Sequence, residues 1–205
     1  MGNRLSIRAV IFDFGSVLVQ MSDEAPRQAL ADRLGVPLQE LNRLVFDSET
    51  AWRAMLGELT IGQHWQAVGA ALGILQDEIP AFKAQFWSAD QVNEELVELI
   101  HRLRTNYKIG LLSNAWDDLR QVLKTRLPIG HLFDDLVISA EVGLGKPDPR
   151  IYLLATQRLG VAPGEAIFID DVLANVDAAR AAGLNAVHYQ NNPQLLADLK
   201  LYNIP

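Results

Sequence analysis

Apolar residues along this chain follow two rhythms. Ile7-Arg8-Ala9-Val10-Ile11-Phe12-Asp13 is a nearly unbroken apolar run that ends on a carboxylate. Such a run predicts a strand buried on both faces, as in a parallel sheet. From Asp23 to about Ala89 the spacing turns helical. Ala29, Leu30 and Leu34 share one face, and Leu38, Leu41, Leu44 and Val45 form another stripe. Trp52, Met55 and Leu56 follow, then Trp65, Val68 and Leu72. These spacings predict a small helical bundle, punctuated by Gly35, Gly57, Gly62 and Gly73.

After Val92 the rhythms alternate. A helix through Leu96, Leu99, Ile100 and Leu103 leads to a strand at Tyr107 to Ser113. Helices from about Asp117, Pro149 and Ala174 lead to strands at Leu136 to Ser139, Ala166 to Asp170 and Asn185 to Tyr189. Alternation of this kind predicts an α/β fold with a doubly wound parallel sheet. The first strand must join that sheet to bury both faces, which makes the helical segment an insertion between strands one and two.

Composition supports a globular domain and narrows its partners. The 205 residues are 49% hydrophobic and 21% charged, enough for one sizeable core with a smaller module. Lys plus Arg number 18 against 25 Asp plus Glu, a net charge of −7. That balance argues against a nucleic-acid binder and leaves room for small anionic ligands at a local positive site. The chain has no cysteine, which excludes disulfides and zinc–thiolate sites and fits a reducing, cytoplasmic setting. No apolar run reaches the ~18 residues of a membrane span, and Asp13 breaks the N-terminal candidate Ala9 to Val19. Met1-Gly2-Asn3-Arg4-Leu5-Ser6 fits a short myristoylation pattern, which we attribute to chance.

Ligands of open parallel sheets bind beyond the carboxyl ends of the strands. Strand one ends in Asp13-Phe14-Gly15-Ser16, strand two in Ser113-Asn114, and strand four in Asp170-Asp171 with Asn175 behind. The loop after strand three carries Gly145-Lys146-Pro147-Asp148. Each residue alone has an ordinary explanation: a turn-capping Asp13, a capping Ser113, a solvated Lys146, an acidic helix start at Asp170-Asp171. Their order at successive strand ends points to one site. Gathered carboxylates repel, and a hard cation such as Mg²⁺ relieves them through oxygen ligands. One carboxylate can then act as a nucleophile by way of an aspartyl phosphate. Lys146 would neutralise the phosphoryl oxygens and Ser113 would hydrogen-bond to them.

The same residues resemble the haloacid dehalogenase-like hydrolase superfamily. Ala9-Val10-Ile11-Phe12-Asp13 with Val17 resembles its nucleophile motif, and Gly110-Leu111-Leu112-Ser113-Asn114 its second motif. Gly145-Lys146-Pro147-Asp148-Pro149 resembles the lysine motif. Ile167-Phe168-Ile169-Asp170-Asp171, with Asn175-Val176 and Ala179 to Gly183, resembles the acidic motif. The resemblance implies a Rossmannoid core over residues 1–19 and 92–205 and an α-helical cap over 20–91. It implies Asp13, Ser113 and Lys146 as catalytic residues, and Ser113, Asn114 and Lys146 as substrate-binding ones. It implies a Mg²⁺ site of Asp13, the Gly15 carbonyl, Asp170 and Asp171, with Asp171 a direct ligand.

Asp170-Asp171 favours the phosphatase branch, acting on a small phosphorylated metabolite, over metal-independent 2-haloacid dehalogenases. One departure stands out. Family phosphatases usually carry a second Asp two residues after the nucleophile, and Gly15 occupies that position here. Ser16 stands where glycine is usual. Some sugar-1-phosphatase-like members share the glycine, so a sugar phosphate is the expected substrate. The missing acid also leaves open a catalytically weak module that binds phosphorylated ligands. Trp52, Arg53, His64 and Trp65 are candidates for contacting the substrate; for the tryptophans a place in the bundle core is the favoured expectation.

Overall fold

The computed structural model describes residues 6–205; the Met1–Ser6 pattern lies outside them except for Ser6. Strand β1 (Ala9–Phe12) is buried along its whole length, as its continuous apolar sequence requires. The chain then forms a short strand β2 (Val19–Met21) and five helices, α1 (Ala25–Leu34), α2 (Leu38–Phe46), α3 (Glu49–Met55), α4 (Ile61–Leu72) and α5 (Ile79–Phe86). It returns through β3 (Asp90–Val92), which pairs antiparallel with β2. The expected division at 19/20 and 91/92 falls inside this ribbon.

The rest alternates. Helix α6 (Glu94–Leu103) precedes β4 (Lys108–Ser113), and α7 (Leu119–Thr125) precedes β5 (Asp135–Ile138). Helices α8 (Ser139–Val142) and α9 (Pro149–Leu159) precede β6 (Ala166–Asp170). Helix α10 (Leu173–Ala181), β7 (Asn185–His188) and α11 (Asn192–Lys200) complete the chain. The five long-range strands form one sheet in the order β5-β4-β1-β6-β7, with every pair parallel. This is an α/β sheet of Rossmannoid type, with β1 at its centre.

Apolar clusters cover both faces of the sheet. One gathers Val10, Phe12, Leu99, Ile100 and Ile169; the other gathers Ile11, Leu112, Ile151, Tyr152 and Phe168. Alternate residues of β1 serve opposite faces, as the period of a strand dictates. None of the described helices is long and apolar enough to cross a membrane.

The helical segment has its own core of Leu30, Leu41, Val45, Trp65, Val68, Phe82 and Phe86. Its helices start where side chains can cap them. Ser48 accepts from the Ala51 amide at α3, and Thr60 and Gln63 form a capping box at α4. Two expected stripes are corrected. Ala29 is exposed, and the buried face of α1 is Arg27, Leu30 and Ala31. Trp52 and Leu56 are exposed, and Ala51 and Ala54 pack inward from α3. The segment approaches the core at Gly57, just past α3. There φ is +74°, and a Cβ would lie 2.2 Å from the Ala140 carbonyl oxygen, so only glycine fits without displacement.

Candidate active site

The carboxyl ends of β1, β4 and β6 meet at the centre of the sheet. Asp13 follows β1, and its amide donates to the Ile169 carbonyl at 2.9 Å, which ties it to β6. Asp170 ends β6 and is fully buried. Its carboxylate accepts from the Val172 amide at 2.8 Å and from the Asn175 side chain at 3.1 Å on each oxygen. The Asn175 carbonyl in turn accepts from the buried Tyr152 hydroxyl at 3.0 Å.

Lys146 joins the two acids. Its ammonium donates to Asp13 Oδ1 and to Asp170 Oδ2, each at 2.6 Å. The lysine is only 6% exposed, so it is no solvated surface residue. Asn114, directly after β4, fixes the Lys146 main chain through two hydrogen bonds. Its amide is therefore engaged with the lysine loop. Ser113, the last residue of β4, is buried and lines a cavity together with Gly15, Ser16 and Asn114.

Electrostatics follow from this burial. Burial pushes the Asp13 carboxyl up to about 6, with the Asp170 carboxylate adding to it, although Lys146 opposes the shift. Burial alone would lower Lys146, but the carboxylates of Asp13 and Asp170 outweigh it and hold the ammonium above its ordinary value. Burial and then Asp170 raise Asp171. One oxygen each of Asp13, Asp170 and Asp171 lie within 4.8 Å of one another. When all three ionise beside one ammonium, two negative charges remain uncompensated.

That surplus, presented entirely by oxygen, fits a hard divalent cation. The Gly15 carbonyl accepts no main-chain hydrogen bond among the described residues and is free to join such a set. Ser16 adopts the left-handed conformation, with φ 59°, which explains why glycine suits its position.

The cavity, of about 650 Å³, runs from this site into the helical segment. Of the four contact candidates, Trp65 is buried in the segment core and lines the cavity. His64 is fully buried, bonded to Thr50 and to the Val45 carbonyl. Arg53 pairs with Glu49 and Glu58, and Trp52 is exposed; neither lines the cavity. Sequence reasoning missed Arg27, Phe46, Trp87, Trp116 and Arg126, all of which do. The available signal was Trp116, which stands two residues beyond Asn114.

Comparison with known proteins agrees with the fold. A family model described as haloacid dehalogenase-like hydrolase matches residues 7–183. Phosphatase MT3486 of Mycobacterium tuberculosis is 28% identical over 204 residues, covering 89% of this chain and 87% of that protein. The (S)-2-haloacid dehalogenase 4A of Burkholderia cepacia is 27% identical over 202 residues, covering 92% of this chain and 86% of that protein. A haloacid dehalogenase family enzyme of Bacteroides thetaiotaomicron, solved with magnesium and inorganic phosphate, superposes with a TM-score of 0.76 at 22% identity. That match covers 93% of this chain and 99% of the other. With the family match spanning most of the chain, this protein belongs to the haloacid dehalogenase-like hydrolases and is an enzyme of that hydrolase family.

Proposed function

We propose that the chain is a Mg²⁺-dependent phosphomonoester hydrolase acting on a small phosphorylated metabolite through a phosphoaspartate on Asp13. The observation that carries this reading is the charge balance: three convergent carboxylates beside one buried ammonium. A dehalogenase that works without metal has no use for the third carboxylate, Asp171.

In this reading residues 20–91 form a cap over a core of 1–19 and 92–205. Asp13, Asp170, Asp171 and the Gly15 carbonyl would hold the metal. When bound, Mg²⁺ supplies positive charge to the phosphoryl oxygens and neutralises the carboxylates. A free oxygen of Asp13 attacks phosphorus, and the bond to the leaving oxygen breaks with its electron pair on that oxygen. The Lys146 ammonium and the Ser113 hydroxyl hydrogen-bond the phosphoryl oxygens as charge shifts. Asn114 supports the step by holding the Lys146 main chain. Water then attacks the phosphoaspartate, releasing inorganic phosphate and the Asp13 carboxylate.

Phosphate release from 4-nitrophenyl phosphate, a phosphomonoester, with Mg²⁺ and with excess chelator, tests this. Turnover should need Mg²⁺ and vanish in Asp13→Asn, whose amide cannot form the acyl phosphate. Full turnover in chelator, or in a folded Asp13→Asn protein, contradicts the reading. Chloride release from a 2-haloacid in chelator selects the dehalogenase instead.

A further inference from the structure

Five charged side chains line the cavity that opens from Ser113: Arg27, Lys83, Asp90, Asp118 and Arg126. Three of them engage one another. Arg27 and Arg126 share Asp90, and they also donate to the main-chain carbonyls of Phe86 and Trp87. The other two do not. Lys83 and Asp118 make no hydrogen bond and no ion pair among the described residues, although both line the cavity.

These two come from different parts of the fold. Lys83 belongs to α5 of the helical segment, with its ammonium 5.4 Å over the Trp65 ring. Asp118 stands at the N-terminal cap of α7, on the sheet side, yet its carboxylate accepts no hydrogen bond from the helix amides. An Asp in that place ordinarily caps the helix. Burial raises the Asp118 carboxyl and the Lys83 ammonium opposes the rise. The two charges therefore sense each other across a gap too wide for a direct pair.

Phe46, Trp65, Trp87 and Trp116 line the same cavity. Phe46 and Trp116 lie nearly parallel, 8° apart, with centroids 6.2 Å from each other. Trp87 stands edge-on to both, at 75° and 68°.

A ligand that suits this space does two things at once. It lays a flat face on the rings, and it offers an acceptor to the ammonium beside a donor to the carboxylate. An amino-acid zwitterion answers the two charges but has no ring to stack. A hydrocarbon answers the rings but strands the two charges without water. A sugar answers the charges with hydroxyls but brings a puckered ring to the aromatic faces. A nucleobase does both, because its edge carries a donor near an acceptor and its π-face stacks.

We infer that the substrate is a nucleoside 5′-monophosphate and that Lys83 and Asp118 select it: the Lys83 ammonium donates to an acceptor on the base edge, the Asp118 carboxylate accepts from an N–H of that edge, and the base rests on the aromatic rings. This rests on the phosphomonoesterase reading. Asp13 forms the bond to phosphorus, the bond from phosphorus to the ribose 5′ oxygen breaks, and that oxygen takes a proton from water as the nucleoside leaves.

The test measures kcat/KM with Mg²⁺ and the full chain for the 5′-monophosphates of adenosine, guanosine, cytidine and uridine. Ribose 5-phosphate, which keeps the leaving atom and lacks the base, is the reference, and 4-nitrophenyl phosphate reports the phosphatase reaction itself. At least one nucleotide should exceed ribose 5-phosphate by about tenfold or more, mainly through a lower KM. Lys83→Met and Asp118→Asn should each lower the ratio of that nucleotide to ribose 5-phosphate by about fivefold or more. Both side chains are partly exposed, and Asp118 caps no helix amide, so neither change removes a support of the fold.

No nucleotide reaching that margin, while 4-nitrophenyl phosphate turns over, overturns the nucleotide assignment and leaves the phosphatase reading standing. A ratio left unmoved in either variant, including one in which both substrates slow alike, overturns the role of that residue. No turnover of any of these esters overturns both readings.

Discussion

Asn114 grips Lys146 at both ends of one residue: the Lys146 amide donates to Asn114 Oδ1 at 2.7 Å, and Asn114 Nδ2 donates to the Lys146 carbonyl at 2.9 Å. This is the geometry of a strand pair, supplied by a side chain. It sets where the Lys146 ammonium arrives between Asp13 and Asp170. In Asn114→Asp one of the two bonds becomes an oxygen facing an oxygen. We expect a loss of about 1–3 kcal/mol in stability and a fall in kcat larger than any rise in KM. Urea denaturation and phosphatase kinetics check this, and an unchanged kcat in the folded variant would remove the positioning role.

The elevated Asp13 carboxyl makes the site's stability depend on pH. Its value rises from 3.8 to about 6 in the folded protein, so the folded state binds the proton more tightly than the unfolded one. The contribution to stability is full below 3.8 and is lost as the pH climbs through 6. In the proposed site Mg²⁺ would require the ionised form of Asp13 and would compete with that proton. The rise in Tm on adding Mg²⁺ should therefore be larger at about pH 7.5 than at about pH 5. Asp13→Asn should flatten the difference. Thermal melts with and without the ion measure it, and an equal rise at both pH values in the wild type counts against the assignment.

Gly57→Ala should cost more than an ordinary left-handed glycine substitution. Gly35 has a similar backbone, φ +66°, with nothing within 4 Å of an added Cβ, whereas Gly57 faces the Ala140 oxygen at 2.2 Å. Gly35→Ala is expected to cost about 1 kcal/mol from the backbone alone. Gly57→Ala is expected to exceed it by about 1–2 kcal/mol. Equal losses in parallel denaturation curves would mean that the contact between segment and core yields freely.

The sheet was legible in the sequence because its strands carry an unambiguous signal. Ala166 to Asp170 matches β6 at both ends, and β1 lies inside the expected run. The residues at the strand ends followed, since a parallel sheet gathers its carboxyl edges. The helical segment was read less well. Arg27 was passed over as core because a guanidinium breaks an apolar pattern; it is buried because Phe86, Asp90 and the Phe86 carbonyl satisfy it. Trp116 and Trp87 lie on either side of a contact between distant parts of the chain, and periodicity within one helix carries no trace of it. The ribbon of β2 and β3 was too short, at three residues a strand, to rise above its surroundings.

Trp116 belongs by sequence to the loop after β4, yet it packs against Phe46, Trp65 and Trp87 of the helical segment. The chain has four tryptophans, and three of them meet at this joint. Swinging the segment away from the sheet would pull Trp116 out of that nest and expose its indole to water. The protein thus carries its own optical gauge: indole emission should shift to the red when the site opens and return when a ligand draws it shut, with no label attached.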